Sequence, residues 1–394
     1  MNFGESDAER ALRAEVREVL GTPPVRSALD DLGRAMASGE REPDVRPLYR
    51  ALAAHRLFAA SWPEQYGGRG VSHLEAAAVI EELVRGGMPD MLQVLSVQIV
   101  GLFLLEAGSE EQKARYLPKL ASGELFATVL YTEPEVGSDL ASLRATAVRD
   151  GDGYRLSGTK VFGLKSGMSD LGLCAVRTGT GTTKYEGISL FLVDLHAEGV
   201  TRGHIASLAD EQYDRVELDR VWVGEDALLG AEGEGWSLLT RCLAIERTGL
   251  DYSLKAARWY DATLTGLIPE TTDDALLEEV GRYGAAVDAG RLLAWSTISQ
   301  LGRGPLDPTS AAISKYHTSE TAQQVATWAA LVHGHGYGLR ALSPEKAAVL
   351  EAGYREGPGL TLSAGTSEMM LELVASSAFD RPDVIGGAGG GSEI

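Results

Sequence analysis

Ten residues, Leu130 to Asp139, carry the densest chemistry in the chain: Leu-Tyr-Thr-Glu-Pro-Glu-Val-Gly-Ser-Asp. Phe126 to Tyr131 is a short apolar run of strand type, stopped by Pro134 and Gly137. A strand followed by proline and a Gly-Ser-Asp turn bends a backbone round a flat polar ligand. Tyr131 and Thr132 can present main-chain N–H groups and a hydroxyl to a heterocycle. Gly137 permits close backbone approach, and Ser138 can donate to a phosphate oxygen. Taken alone, a Thr-Glu-Pro turn is more often only a turn.

The elements that position this stretch are legible as three blocks. Ala8–Leu20, Arg46–Leu57 and His73–Arg85 carry apolar residues at helical spacing. Leu92–Ala107 is almost entirely apolar and is expected to be buried. Ser109–Leu120 opens on a serine N-cap with Glu111 in its first turn. Near Phe126 the pattern changes to short β-branched segments: Ala145–Arg149, Tyr154–Lys160, Leu171–Arg177, Gly187–Asp194 and Arg215–Val223. Asp150-Gly-Asp-Gly153 is a hairpin turn. After Gly235 the helical pattern returns at Trp236–Leu264, Asp273–Leu301, Ser310–Leu331, Pro344–Ala352 and Ser367–Ala378, and four of these fit a bundle. The glycine-rich stretch Gly386–Gly391 is expected to be disordered.

Composition narrows the function classes. With 394 residues, 44% of them hydrophobic, the chain can bury a large core and form two or three domains. A net charge of −20 disfavours nucleic acid and anionic lipid as partners. No apolar stretch is long enough to span a bilayer. Cys174 and Cys242 lack metal or redox spacing and read as free buried thiols. With the acidic, signal-free start Met1–Glu9, they predict a cytoplasmic protein. His333 and His335, the one close histidine pair, read as turn residues rather than metal ligands. Gly230–Gly235 fails the spacing of a dinucleotide-binding fingerprint.

Helices, then a β domain, then helices is an uncommon order. Leu130–Asp139 resembles the flavin-binding signature of the acyl-CoA dehydrogenase family. Four further segments resemble that family in its order. They are Trp62-Pro-Glu-Gln-Tyr-Gly-Gly-Arg-Gly, Leu156-Ser-Gly-Thr-Lys160, Val223-Gly-Glu-Asp-Ala-Leu-Leu-Gly230 with Gly233-Glu-Gly-Trp236, and Ala364-Gly-Thr-Ser-Glu368. The resemblance covers nearly the whole chain. It implies an α+β fold with an N-terminal helical domain (1–124), a central antiparallel β domain (125–232), a C-terminal four-helix bundle (233–380) and a flexible tail (381–394). It implies FAD as cofactor, held by Leu130, Tyr131, Thr132, Gly137, Ser138, Phe162, Leu164 and Thr366.

The family's reaction puts an α,β double bond into an acyl thioester, on coenzyme A or on a carrier protein. A carboxylate takes the α-proton and flavin N5 takes a hydride. In most members the base stands just before Gly-Thr-Ser, where this chain has Ala364. Members similar to isovaleryl-CoA dehydrogenase instead carry a glutamate beside an arginine on the first C-terminal helix. Leu243-Ala-Ile-Glu246-Arg247 matches them, so Glu246 is the expected base. The plainer reading of Glu246 is a solvent-facing helix glutamate. Arg247 is expected either to hold that carboxylate or to close helix packing. The Ala364 N–H remains an oxyanion donor, and Thr366 and Ser367 are flavin or helix-capping hydroxyls.

Three departures from the family pattern bear on partners. Where Trp-Ile-Thr usually follows the strand lysine, this chain has Val161-Phe162-Gly163-Leu164. Phe162 either packs on the flavin or lies in the core, and Leu164 offers no hydroxyl. That leaves a flavin oxidase or monooxygenase as one alternative. Leu264–Leu277 lacks the Arg-x-x-Phe-Gly that reaches a neighbour's FAD pyrophosphate. Ala330-Leu331-Val332 lacks the usual glutamine before His333-Gly-His-Gly-Tyr337. The resemblance therefore implies a heteromer, such as an α2β2 heterotetramer with a homologous subunit, and an electron-transfer flavoprotein as acceptor. A non-catalytic partner subunit is the other alternative.

Overall fold

The computed structural model describes residues 4–38, 40, 42–265, 267, 273–304, 306–334 and 344–379. Residues 266 and 268–272 of the Leu264–Leu277 stretch, the histidine turn from His335 to Tyr337 and the 381–394 tail lie outside these residues. The described residues of 1–207 and 211–243 form one compact unit, and those of 208–210 and 244–385 form a second.

The first unit opens with helices α1 (Asp7–Leu20), α2 (Pro23–Ala37), α3 (Arg46–Ala53) and α4 (His73–Arg85). The next long helix is composite: α5 (Met91–Gln93), a π-helical segment over Val94–Val100, and α6 (Gly101–Ala107). Then comes α7 (Glu110–Ala121). α1, α4 and α7 each begin with a reciprocal capping box, from Ser6 with Glu9, Ser72 with Glu75 and Ser109 with Gln112. α2 escaped the periodicity reading, although its twin prolines at the start are a helix signal. α3 ends four residues before the expected Leu57, in a turn where Arg56 takes a left-handed backbone (φ 56°).

The sheet follows: β1 (Ala127–Leu130), β2 (Thr146–Asp150), β3 (Gly153–Leu164), β4 (Leu171–Arg177), β5 (Ile188–Asp194), β6 (Val200–Ile205), β7 (Tyr213–Gly224) and β8 (Leu228–Leu229). Its order is β6-β7-β3-β2-β4-β5-β8, with β1 beside β4. The long ladders are antiparallel, and β1 runs parallel to β4. β6 was not expected from sequence, because its Val-Thr-Arg-Gly-His-Ile leaves no side chain fully buried. Tyr154, Leu156, Phe191, Val193 and Val216 form the sheet's core. β1 would otherwise leave backbone groups unmet on its free side. Ser96 of the π segment supplies partners: its Oγ accepts from Ala127 N–H at 2.9 Å and donates to Ala127 O at 3.2 Å.

The expected single helix Trp236–Leu264 is broken. α8 (Gly235–Glu246) stops, and α9 (Leu250–Leu264) restarts after Gly249 at φ 82°. Then come α10 (Asp274–Leu301), α11 (Pro308–Gly334), α12 (Pro344–Leu360) and α13 (Ser367–Ala378). α12 runs past the expected Ala352. His333 belongs to the last helical turn of α11 and not to a loop. α11 is the central helix, packed on α9, α10, α12 and α13. Its buried face is made of small residues such as Ala311, Ser314, Thr318 and Ala322, which allow close approach.

That close approach explains the break. Ser314 Oγ donates to Thr248 O at 2.7 Å, binding α11 to the α8–α9 link. A Cβ on Gly249 would stand 2.7 Å from Thr318 Oγ1 and 2.9 Å from Ser314 Oγ, in a backbone region that disfavours any L side chain. Gly249→Ala should therefore destabilise the second unit by about 2 kcal/mol or more. A lower denaturation midpoint, followed by circular dichroism, is the expected result; an unchanged midpoint would refute the account.

Candidate active site

Thr132 to Ser138 is a rigid turn on the first unit. Glu133 and Val136 exchange backbone hydrogen bonds at 3.0 and 3.1 Å, closing a loop round Pro134. The buried Glu133 carboxylate accepts from Arg144 N–H at 2.7 Å, Ala145 N–H at 2.9 Å and Lys160 Nζ at 2.8 Å. Burial works to raise its pKa, but Lys160 and these hydrogen bonds outweigh that and hold it below the usual carboxylate range. Lys160 is wholly out of solvent and also donates to Tyr131 O at 3.2 Å. Val161 N–H donates to Thr132 O at 2.9 Å. Asp139 is engaged by Ser142 and Lys184.

The framework thus consumes Glu133, Lys160 and Asp139. The hydroxyls of Thr132 and Ser138 bond to no protein group among the described residues. Leu130 and Tyr131 are buried behind the turn, and Ser138 and Gly137 are at its surface. A Cβ built on Gly137 would meet nothing within 4 Å. The glycine is therefore not demanded by the protein's own packing.

Phe162 settles one alternative left open by the sequence. It is 59% exposed, so it is not a core residue. It sits on a β-bulge, where Lys160 to Gly163 of β3 pairs with Val216 to Asp214 of β7. Its φ of 58° is uncommon for a bulky aromatic residue, and Tyr213 meets it edge-on at 6.3 Å between centroids. The bulge turns a large apolar ring outward at a cost in backbone energy. Such a feature is a pointer to function. Leu164, half-buried, closes β3, and its carbonyl accepts from Thr128 Oγ1 at 2.6 Å.

On the second unit, Glu246 is the last residue of α8. The residue is half-buried, yet its Oε2 is shut off from solvent and has no hydrogen-bond partner. That argues against a solvated helix glutamate. Burial raises its pKa to about 7, Asp251 adds to the rise, and Arg247 and Lys315 oppose it. The C-terminal end of a helix is also its negative pole, which disfavours a carboxylate in the same sense.

Arg247 makes no ion pair with Glu246 among the described residues. Its Nε donates instead to Ala364 O at 2.9 Å. Lys315, fully buried on α11, donates to Gly365 O at 2.7 Å. Tyr252 OH and Ser363 Oγ lie 3.0 Å apart. Ala364 and Gly365 both take positive φ, 53° and 97°. The Ala364 N–H makes no hydrogen bond among the described residues. Thr366 caps α13 by accepting from Met369 N–H at 3.2 Å, and buried Ser367 donates to Glu320.

Sequence reasoning passed over Lys160, Lys315, Tyr252 and Glu320. Lys160 had a signal: it lies four residues after buried Leu156 on one strand. Lys315 had one too, a lysine among Ala, Ile and Ser in a helix with no polar face. Asp273, counted as part of an acidic segment, caps α10 by accepting from Leu276 N–H at 2.8 Å. Both cysteines are buried and neither is in a disulfide. Among the described residues there is no candidate metal cluster, and no helix is long and apolar enough to cross a membrane.

Comparison with known proteins agrees with this anatomy. The descriptions "Acyl-CoA dehydrogenase, N-terminal domain", "middle domain" and "C-terminal domain" match residues 6–124, 128–221 and 233–379. Acyl-CoA dehydrogenase FadE29 of Mycobacterium tuberculosis is 31% identical over 389 residues, which span 95% of this chain and 97% of that protein. A solved structure described as the Tcur3481-Tcur3483 steroid ACAD is 29% identical, covers 97% of this chain and 100% of its own, and superposes with a TM-score of 0.85. The ChsE4-ChsE5 complex from Mycobacterium tuberculosis is 27% identical, with the same coverage and a TM-score of 0.79. With three domain descriptions in chain order and a relative alike from end to end, the chain belongs to the acyl-CoA dehydrogenase family.

Proposed function

We infer that the chain is an FAD-dependent acyl-thioester dehydrogenase of the subgroup with its base on the first C-terminal helix, with domains at 1–124, 125–232 and 233–380. The observation that carries this reading is Glu246: an enclosed, unpaired carboxylate with a pKa raised to about 7, next to a turn whose Ala364 side chain cannot take a proton. Glu246 takes the α-proton. The free Ala364 N–H donates to the thioester oxygen, where charge develops as the proton leaves. Arg247 serves the reaction by fixing the Ala364 carbonyl, and with it the peptide plane.

The first unit fits the cofactor. Thr132 and Ser138 carry unengaged hydroxyls, Gly137 leaves space, and Phe162 offers a bare ring; Leu130, Tyr131 and Leu164 complete the surface. FAD, when bound there, supplies the hydride acceptor. The buried Lys160–Glu133 pair keeps the turn in shape before any ligand arrives.

The relatives described as a two-protein steroid enzyme and as a ChsE4-ChsE5 complex support a heteromer here, acting on a bulky acyl thioester. So does the absence of arginine in Leu264–Leu277. An electron-transfer flavoprotein is the proposed acceptor and the cytoplasm the proposed compartment.

Glu246→Gln should keep fold and flavin content while slowing substrate-dependent flavin bleaching by about 100- to 10,000-fold. In the unmodified enzyme the same rate should fall about tenfold per pH unit below pH 7, because protonated Glu246 cannot accept a proton. Near-normal bleaching by the variant would remove Glu246 from the mechanism.

Gly137→Val should lose bound flavin without loss of melting temperature. A Cβ there meets no protein atom within 4 Å, so a displaced ligand is the expected effect. Equal flavin per chain in wild type and variant would show that the turn binds nothing.

Expressed alone, the chain should bind FAD poorly. Glu270, Asp273 and Asp274 would repel a pyrophosphate, and like charges are unfavourable at short range. Co-expression with a homologous chain carrying the missing arginine should restore yellow colour. A stable homo-oligomer with one FAD per chain and full activity would overturn the heteromer while leaving Glu246 in place.

A further inference from the structure

The turn between α12 and α13 is fastened by side chains from other elements at Ser363, Ala364, Gly365 and Ser367. Lys315 is the odd member of this set. A neutral donor would satisfy a carbonyl, whereas burying an ammonium costs several kcal/mol unless charge compensates. Lys315 is wholly buried, bonds only a backbone oxygen, and has no ion pair within 4.0 Å among the described residues. Its compensation comes from further off. Asp251 on α9, Glu320 on its own α11 and Glu368 on α13 are the acidic groups that favour its charge, and that charge in turn favours the ionised form of Glu246 at the end of α8. Arg247 is the opposing cation, and the Tyr252 ring centroid lies 5.6 Å from Nζ.

We propose that Lys315 is a positioning residue of the proton-transfer site: its ammonium fixes the Gly365 carbonyl, holding Ala364 and Gly365 in their left-handed pair, and its charge favours the ionised Glu246 carboxylate. The assignment rests on the reading of Glu246 as base, and it adds an upper limit to the working pH. Burial first, and Arg247 second, push Lys315 down to about 8, against the pull of Asp251, Glu320 and Glu368. Glu246 is ionised and Lys315 still charged only between about 7 and about 8.

The test is an infrared titration of the Glu246 carboxyl band, isolated by difference against Glu246→Gln. Lys315→Met should raise its midpoint by about one pH unit, since an opposite charge is lost. Glu320→Gln loosens the same turn at Ser367 without removing the cation. It should lower the melting temperature and leave the midpoint in place. An unchanged midpoint in Lys315→Met, or an equal shift in Glu320→Gln, overturns the proposal. Should Lys315→Met fail to fold, the unmodified chain decides. Its carboxylate band should shift a second time near pH 8 as Lys315 discharges, and a single transition would refute the coupling. None of these readouts needs turnover, so they stand apart from whether Glu246 is the base.

Discussion

A buried cation must find an acceptor, and this chain uses that constraint to shape its functional loops. In the first unit Lys160 is closed off from water and bonds Tyr131 O and Glu133, the two residues that flank Thr132. In the second, Arg247 and Lys315 bond the carbonyls of Ala364 and Gly365. Moving such an acceptor away leaves a buried charged donor unsatisfied, which costs about 1–3 kcal/mol or more. Each loop is therefore locked by the penalty of leaving it. Surface ion pairs could not do this, since exposed pairs contribute about 0–1 kcal/mol.

The same constraint bears on the proposed placing of the base at Glu246. The turn before α13 holds its shape through backbone carbonyls and the Thr366 cap, not through the side chain at position 364. Ala364 can therefore lose a carboxylate without losing the turn or its free N–H. The carboxylate reappears at the end of α8, on the residue next to the arginine that fastens Ala364. Glu246 and Arg247 are adjacent in the chain, so the proposed base and the arginine that fastens Ala364 move together.

The three-block architecture was legible because each block has its own period. Apolar spacing marked α4, a capping serine marked the start of α7, and Asp150-Gly-Asp-Gly153 marked the β2–β3 hairpin, where Asp150 pairs with Gly153. The short surface strand β6 was lost because it buries too little to show alternation. The break at Gly249 was lost for a different reason. Local spacing favours one continuous helix from Trp236, and only the approach of Ser314 and Thr318 from α11 forbids it. Contacts made across the bundle leave no local periodic trace. In the same way, the family resemblance pointed to Glu246 and Arg247, but nothing in the sequence pointed to the partner of Arg247, a carbonyl 117 residues away.

Phe162 shows where sequence and structure together say more than either alone. By type it was an aromatic in a strand, equally suited to core or ligand. The bulge decides: one extra residue in β3 rotates the ring out of the sheet's alternation and leaves it 59% exposed at φ 58°. The exposed ring recovers no burial energy to offset the backbone strain, about 1–3 kcal/mol for such outliers. Under the proposed reading, a bound flat heterocycle would cover this ring and supply the burial that the bulge withholds.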